Sequence, residues 1–179
     1  KAWFERSLRI REKLAQADAH STQAQRDLSV SFNNLGEVAV KMGQPGEAKA
    51  WFERSLKIRE KLAQADAHSA QAQRDLSVSL NNLGEVAVED DQLGEAKAWF
   101  ERSLKIREKL AQADANDAQA QRDLITSHCK LAELYSHSRQ PTASGTEARL
   151  AADLLNKLRP RIPKHDADNL EQAIRALLR

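Results

Sequence analysis

The sequence predicts an all-α fold, a tandem array of antiparallel helix pairs with about eight helices. Charged residues make up 30% of the 179 residues and aromatic residues only 4%. The composition favours Ala, Leu, Glu, Arg, Lys and Gln, which lose little conformational freedom in a helix, and it lacks the β-branched and aromatic runs that strands need. The strongest observation is that the chain repeats itself.

The repeat has a period of 48 residues. Residues 1–48 and 49–96 differ at only seven positions, and a third copy follows the pattern from residue 97 to Leu124 before it diverges. A fixed period of this length indicates stacked supersecondary units, none of which buries its apolar face alone.

Each period contains two helical segments. Apolar spacing predicts a first helix from about Gln23 to Val40 and a second from about Gly46 to Ala65, with equivalents one period later. Ser21, Ser69 and Asp117 stand at the same place in the three copies. Each can cap a helix, because its side-chain oxygen accepts a free backbone N–H of the first turn.

The two ends of the array differ. The chain opens on a second helix, residues 1–18, and starts at Lys1 rather than Met, so we expect further repeats before it. Near the other end, SHSRQPTASG predicts a turn four residues longer than its equivalents. A last amphipathic helix, about Asp166 to Leu178, is expected to cap the array.

These elements predict a repeat array followed by a capping helix. The predicted parts are the second helix of a truncated repeat (1–20), two full repeats (21–68 and 69–116), a degenerate repeat (117–163, which ends the array 1–163) and the capping helix (164–179).

The pattern inside each period resembles the tetratricopeptide repeat family. The motif F-x2-L-G-x2-A over residues 32–39, followed by A-x3-F over 48–52, is similar to the family's aromatic-x2-L-G-x2-Y and A-x3-F. Small Gly36 and Ala48 would let two helices approach while Phe52 fills the space between them. Alanine replaces the usual tyrosine, and the usual proline after the second helix is missing. The resemblance implies a right-handed superhelix.

The period exceeds the family's common length of about 34 residues. The long form resembles the repeats of kinesin light chains and of arrays attached to bacterial multidomain signalling proteins.

In this family the first helix of each repeat lines a concave surface. The resemblance therefore implies ladders of inward-facing side chains, one rung per repeat: Asn33, Asn34, Glu37, Asn81, Asn82, Glu85, Cys129, Lys130 and Glu133. Arg26, Arg74 and Arg122 lie on much the same stripe at spacings of three and four. Asn side chains can bind the backbone of an extended peptide. Duplication alone also explains the ladders, and Arg26 could pair with a neighbouring repeat.

Several functional classes find little support. The basic and acidic residues, 28 and 26, are spread along the chain, which disfavours a nucleic-acid partner. No apolar run is long enough for a bilayer, and no secretory signal opens the chain. The single cysteine, Cys129, suits a reducing cytoplasm.

Neither catalysis, a cofactor nor a metal site is predicted. His128 and Cys129 are adjacent, but consecutive helical residues point about 100° apart and cannot form a dyad. His20 and His68 lack ligand partners at suitable spacing. The family's chaperone-tail clamp is disfavoured, because glutamates at 37, 85 and 133 would repel a terminal carboxylate.

Trp3, Trp51 and Trp99 recur once per repeat, and we expect each to pack against the first helix of the next repeat. An exposed tryptophan row would instead be a binding hot spot.

The sequence therefore favours a protein- or peptide-binding module, a scaffold within a larger cytoplasmic signalling protein. The alternative is a structural spacer or self-assembly arm, with head-to-tail association through the open N-terminal end.

Overall fold

The computed structural model describes residues 2–178, and this part of the chain contains helices and no strands. The all-α prediction is confirmed. The helices are α1 (Ala2–Ala17), α2 (Thr22–Lys41), α3 (Pro45–Ala65), α4 (Ala70–Glu89), α5 (Leu93–Ala113), α6 (Ala118–His137), α7 (Pro141–Leu158) and α8 (Lys164–Leu177), with a short 3-10 helix (Arg159–Arg161) before α8.

The helix starts follow from their caps. Ser21 Oγ accepts the N–H of Ala24 at the start of α2, and Ser69 Oγ accepts that of Ala72 at the start of α4, both at 3.2 Å. Asp117 does the same for α6, since its carboxylate accepts the N–H groups of two residues in the first turn. The three predicted N-caps are confirmed.

The prediction of a longer turn in the third copy is wrong. The helix ends and restarts of the three copies, 41 to 45, 89 to 93 and 137 to 141, keep the 48-residue spacing. Gly43, Asp91 and Arg139 stand at the same place in the three turns, and all three have a left-handed backbone with φ of 66°, 57° and 53°. A single left-handed residue thus reverses the chain in each copy, although the surrounding sequence diverges.

Arg139→Gly is expected to stabilise the protein by about 0.5–1 kcal/mol. A non-glycine residue costs roughly 1–2 kcal/mol in the left-handed region, and the flexibility of glycine in the unfolded chain offsets part of the gain. The measurement is the free energy of unfolding in urea. Gly43→Ala is the matched control, because it should lose about 1 kcal/mol at the equivalent turn; a loss for Arg139→Gly would contradict this explanation.

The described residues form two compact units, one up to Gln92 and one from Leu93. In the first unit α1 packs on α2, α2 on α3 and α3 on α4. The contacts of Ser29 with Ser55 and of Gly36 with Phe52 show that α2 and α3 run in opposite directions. Arg26 contacts Asp75 and Asn33 contacts Asn82, so α2 and α4, the first helices of two repeats, run parallel and side by side.

One glycine decides how closely α2 and α3 approach. A Cβ added to Gly36 would lie 2.6 Å from Cδ1 and 2.8 Å from Cζ of the Phe52 ring. Phe52 is 2% exposed and Ala48 is fully buried beside this contact. The first unit therefore has the packing expected from the motifs F-x2-L-G and A-x3-F, in which a small glycine lies against an aromatic ring.

The tryptophan prediction needs correction. The Trp51 ring stacks on Phe32 with centroids 5.8 Å apart and an interplanar angle of 21°. Phe32 belongs to the first helix of the same repeat, not of the next. The Arg54 guanidinium lies near both rings, 4.9 Å from the Trp51 centroid and 5.8 Å from the Phe32 centroid. Trp3 behaves differently and is 82% exposed.

In the second unit α6 lies against α5 and α7, and α8 contacts both α6 and α7. Ala167 and Ile174 of α8 are buried in the apolar cluster that Ile125, Leu155 and Leu158 share. Arg161 of the 3-10 helix donates to the Ala115 carbonyl oxygen at 2.9 Å. The last helix therefore covers the end of this unit, as a capping element would. No helix among the described residues is long and apolar enough to cross a membrane.

Candidate functional site

A groove opens between the C-terminal halves of α2 and α4 in the first unit. It has a volume of about 310 Å³, and its lining consists of Glu37, Val40, Lys41, Phe52, Asn82, Glu85 and Glu89. The parallel packing of two first helices creates this shape, since equivalent residues of both repeats face one space. Three predicted residues, Glu37, Asn82 and Glu85, are brought together here.

The asparagine ladder forms a hydrogen-bonded link between repeats. Asn82 Nδ2 donates to Asn33 Oδ1 at 2.8 Å, and Asn33 Nδ2 donates to Glu37 Oε1 at 2.8 Å. Asn33 and Asn81 are each only 6% exposed, whereas Asn34 and Asn82 are half-buried. Within the ladder, Asn33 joins α2 to α4, and Asn82 lines the groove.

The groove is negatively charged. Glu37, Glu85 and Glu89 are exposed carboxylates at its edge, with Lys41 as the one cation among its lining residues. Phe52 and Val40 supply apolar surface between them. An apolar base with a few convergent polar groups is the usual composition of a binding site.

The arginine row has a different role in the structure. Arg26 of α2 pairs with Asp75 of α4, with Nε 2.5 Å from Oδ2, and this bond raises the pKa of the Arg26 guanidinium. Arg122 pairs with Asp166 of α8 at 2.8 Å, and Arg74 is half-buried. Arg26 therefore joins α2 to α4, and Arg122 joins α6 to α8.

The third copy contributes its predicted residues to the second unit. Lys130 Nζ lies 3.2 Å from Glu133 Oε2, an i,i+3 pair at the surface. His128 Nδ1 lies 2.6 Å from Glu147 Oε2 on α7, so this histidine joins two helices rather than acting on its neighbour. Burial raises the pKa of the Cys129 thiol to about 11.

Cys129 is expected to react slowly with iodoacetamide. With a pKa near 11, roughly one thiol in a thousand is ionised at pH 8, and only the thiolate is the nucleophile. Alkylation followed by mass spectrometry should be at least about 100-fold slower in the native chain than in denaturant. Because the pKa is raised, the native rate should climb with pH beyond 8 up to about 11. Equal native and denatured rates would contradict the buried, protonated thiol.

Sequence reasoning missed a row of buried arginines. Arg59 and Arg107 are 4% and 5% exposed. Arg59 Nη1 donates to the Asp75 carbonyl at 2.9 Å and to Ser79 Oγ at 3.1 Å, and its Nε donates to Ser29 Oγ at 3.2 Å. Burial lowers the pKa of the Arg59 guanidinium. The serines that recur at helical spacing in each repeat could have indicated buried hydrogen-bond partners for these arginines.

Among residues 2–178, no group of three or more His, Cys, Asp and Glu side chains is placed to hold a metal ion.

Tandem antiparallel helix pairs with a groove along their first helices define an all-α helical-repeat protein. Residues 27–109 match the tetratricopeptide repeat family. This match includes both groove-forming first helices from Asp27 onward. Repeats of this family generally mediate protein–protein interaction.

One solved structure agrees at the level of fold. The crystal structure of BtubC (BKLC) from P. vanneervenii is 13% identical, has a TM-score of 0.63 and matches 98% of this chain and 80% of that chain. The structure of the DHF79 filament is also 13% identical and covers 98% of this chain and 96% of its own, with a TM-score of only 0.38. No curated protein sequence matches the chain.

Proposed function

We propose that this chain binds a protein or peptide partner in the groove between α2 and α4. One observation carries the proposal: a cavity of about 310 Å³ combines the Phe52 ring with polar side chains from two successive repeats. Asn82 contributes an amide, which offers both donor and acceptor atoms. A segment lying across the groove would contact equivalent positions on α2 and α4.

The charge of the groove favours a basic partner segment. Glu37, Glu85 and Glu89 outnumber Lys41 along the lining, and complementary charge speeds encounter and selects partners. Lys and Arg also suit the half-buried apolar side chain of Val40, because their methylene stems can cover apolar groups while the charged end stays in water. The same carboxylates would repel a carboxyl-terminal clamp ligand.

In this proposal the chain is a non-enzymatic scaffold in a larger cytoplasmic signalling protein. The BtubC structure, at 13% identity, supports the fold alone, so the resemblance of the long repeat to kinesin light chains stays a prediction. The right-handed superhelix and the domain limits also stay predictions. So does the expectation that neither nucleic acid nor a membrane is a partner.

Selection from a displayed library of random peptides tests the proposal. We expect enrichment of peptides with Lys or Arg beside an apolar residue, and weaker binding at higher salt because the groove charges are exposed. The double variant Glu37→Gln and Glu85→Gln should bind the selected peptides about tenfold more weakly, which corresponds to about 1.4 kcal/mol.

The matched control is Glu53→Gln with Glu101→Gln, which removes the same charge from glutamates outside the groove lining. This control should change affinity less than about twofold, since a surface charge outside the groove lining contributes little. Equal losses for both double variants, or selection of acidic peptides, would rule out the groove as the binding site.

A spacer or self-assembly arm is the second candidate. It is favoured by the apolar surface that α1 exposes, including Trp3 at 82% exposure. Light scattering over a concentration series distinguishes the two functions, because a groove binder stays monomeric while a self-assembling arm grows in mass.

A further inference from the structure

The second unit contains an open pocket of about 610 Å³ that the proposed function does not use. It lies where the turn between α6 and α7 meets the last residues of α8. Its functional groups come from two arginines, two serines and two leucines: Arg139, Arg149, Ser136, Ser144, Leu177 and Leu178. None of the described residues that line it is acidic, so the pocket is basic where the α2–α4 groove is acidic.

Both arginines depart from the repeated sequence. Arg149 stands where the first two copies have Glu53 and Glu101, and Arg139 stands where the second copy has Asp91. Duplication therefore does not account for the positive charge, because the repeated sequence would make the same place acidic.

A neighbouring departure makes room for one guanidinium group. A Cβ on Gly145 would lie 4.0 Å from Arg149 Nη2, so the Arg149 side chain extends along α7 toward the turn. The first two copies have Lys49 and Lys97 at the position of this glycine. A long side chain there would compete with the guanidinium for the same space.

The other arginine is held in a disfavoured conformation without an internal partner. Arg139 has a φ of 53°, in the left-handed region that favours glycine. Neither Arg139 nor Arg149 forms an ion pair or a hydrogen bond with another residue among 2–178. Because no contact within this part of the chain offsets the disfavoured backbone, the arginine points to a ligand.

The leucines limit the kind of ligand that fits. Leu177 is half-buried against the cluster that contains Ile174, and Leu178 is 48% exposed. A small inorganic anion would leave this apolar surface in water. Guanidinium groups form paired hydrogen bonds with carboxylates, so a peptide with acidic and apolar side chains matches both parts of the pocket.

We infer that this pocket binds an acidic segment of a protein partner, in which Asp or Glu lies beside an apolar side chain. Arg139 and Arg149 donate to the carboxylates, and Leu177 and Leu178 contact the apolar side chain. The site is separate from the α2–α4 groove, and the inference does not depend on the proposed function.

An array of synthetic peptides of about nine residues tests the inference with the full chain. Each peptide has two Asp and two Leu residues at varied spacing among Gly and Ser, and matched peptides replace Asp by Asn or Leu by Ser. We expect some spacings to bind, and either replacement to weaken binding at least about tenfold in fluorescence anisotropy.

Variants of the chain locate the binding. Arg149→Glu restores the residue of the first two copies and should weaken binding of the best peptide at least about tenfold. Its helical circular dichroism should be unchanged, because Arg149 is exposed. Lys157→Glu is the matched control, since it makes the same charge change at an exposed position of α7 outside the lining, and it should change affinity less than about twofold.

Arg139→Gly separates a binding role from a structural one. It should weaken peptide binding at least about threefold while it raises the stability of the chain in urea, because glycine prefers the left-handed turn. A residue with a purely structural role would not change the two measurements in opposite directions.

Four outcomes overturn the inference. The first is that no acidic peptide of the array binds, including the case in which a single-stranded oligonucleotide or inorganic phosphate binds instead. The second is equal binding of the Asn-substituted peptides. The third is an equal loss for Arg149→Glu and Lys157→Glu, since binding would then follow net charge alone. The fourth is unchanged binding in Arg139→Gly.

Discussion

Gly36→Ala is expected to lower the free energy of unfolding by up to about 2 kcal/mol, although alanine is the better helix former. In an exposed helix this change would add about 1 kcal/mol of stability. Here the new Cβ would lie 2.6 Å from Cδ1 of Phe52, and overpacking of a closed core costs roughly 1–3 kcal/mol. The clash therefore outweighs the propensity gain, and urea unfolding measures the sum.

Gly46→Ala is the matched control for this prediction. A Cβ at Gly46 meets no atom within 4 Å, so the same substitution should be neutral or stabilise by up to about 1 kcal/mol. Phe52→Leu should in addition reduce the penalty of Gly36→Ala, because the smaller side chain leaves room. Additive effects in this double-mutant cycle would show that the two residues do not interact.

Arg59→Ala is expected to destabilise the protein by about 3 kcal/mol. The substitution removes a packed aliphatic stem and leaves the acceptors on Ser29, Ser79 and Asp75 without their buried donor. Removal of a donor that leaves buried acceptors unsatisfied costs roughly 1–3 kcal/mol, loss of the packed stem adds to this cost, and the serine hydroxyls retain other bonds here.

Two variants separate the causes. Arg59→Met keeps most of the stem and should lose about 1 kcal/mol, since apolar replacement of a buried charge is often tolerated. Lys57→Ala, at an exposed position two residues away, should stay within about 0.5 kcal/mol of the parent. An Arg59→Ala variant as stable as Lys57→Ala would show that the buried arginine does not hold the repeats together.

The helices could be predicted because their signals are local. Caps such as Ser21 and Ser69 and the apolar spacing depend on residues within a few turns. The turn at Arg139 was predicted too long, because its left-handed φ of 53° is not apparent from the side chain. The sequence of this turn differs from that of its equivalents, although the backbone conformation is the same.

The site could be predicted only in part for a different reason. Alignment with the family placed Glu37, Asn82 and Glu85 on one side of the first helices, and all three line the groove. It could not show that Asn33 is 6% exposed and bonded to the next repeat, because that bond joins residues 49 positions apart in sequence and depends on the register between two helices. Arg59 was missed because arginine is usually a surface residue, and its burial can be inferred only when the hydrogen-bond acceptors on the neighbouring helices are known.

The most direct test of the groove is nuclear magnetic resonance of the chain with a peptide from the selection. We expect the largest chemical-shift changes at the side-chain amide of Asn82 and in the backbone around Glu37, Glu85 and Phe52. Changes confined to α1 or to α8, with the Asn82 amide signal unchanged, would show that the partner does not bind in the α2–α4 groove.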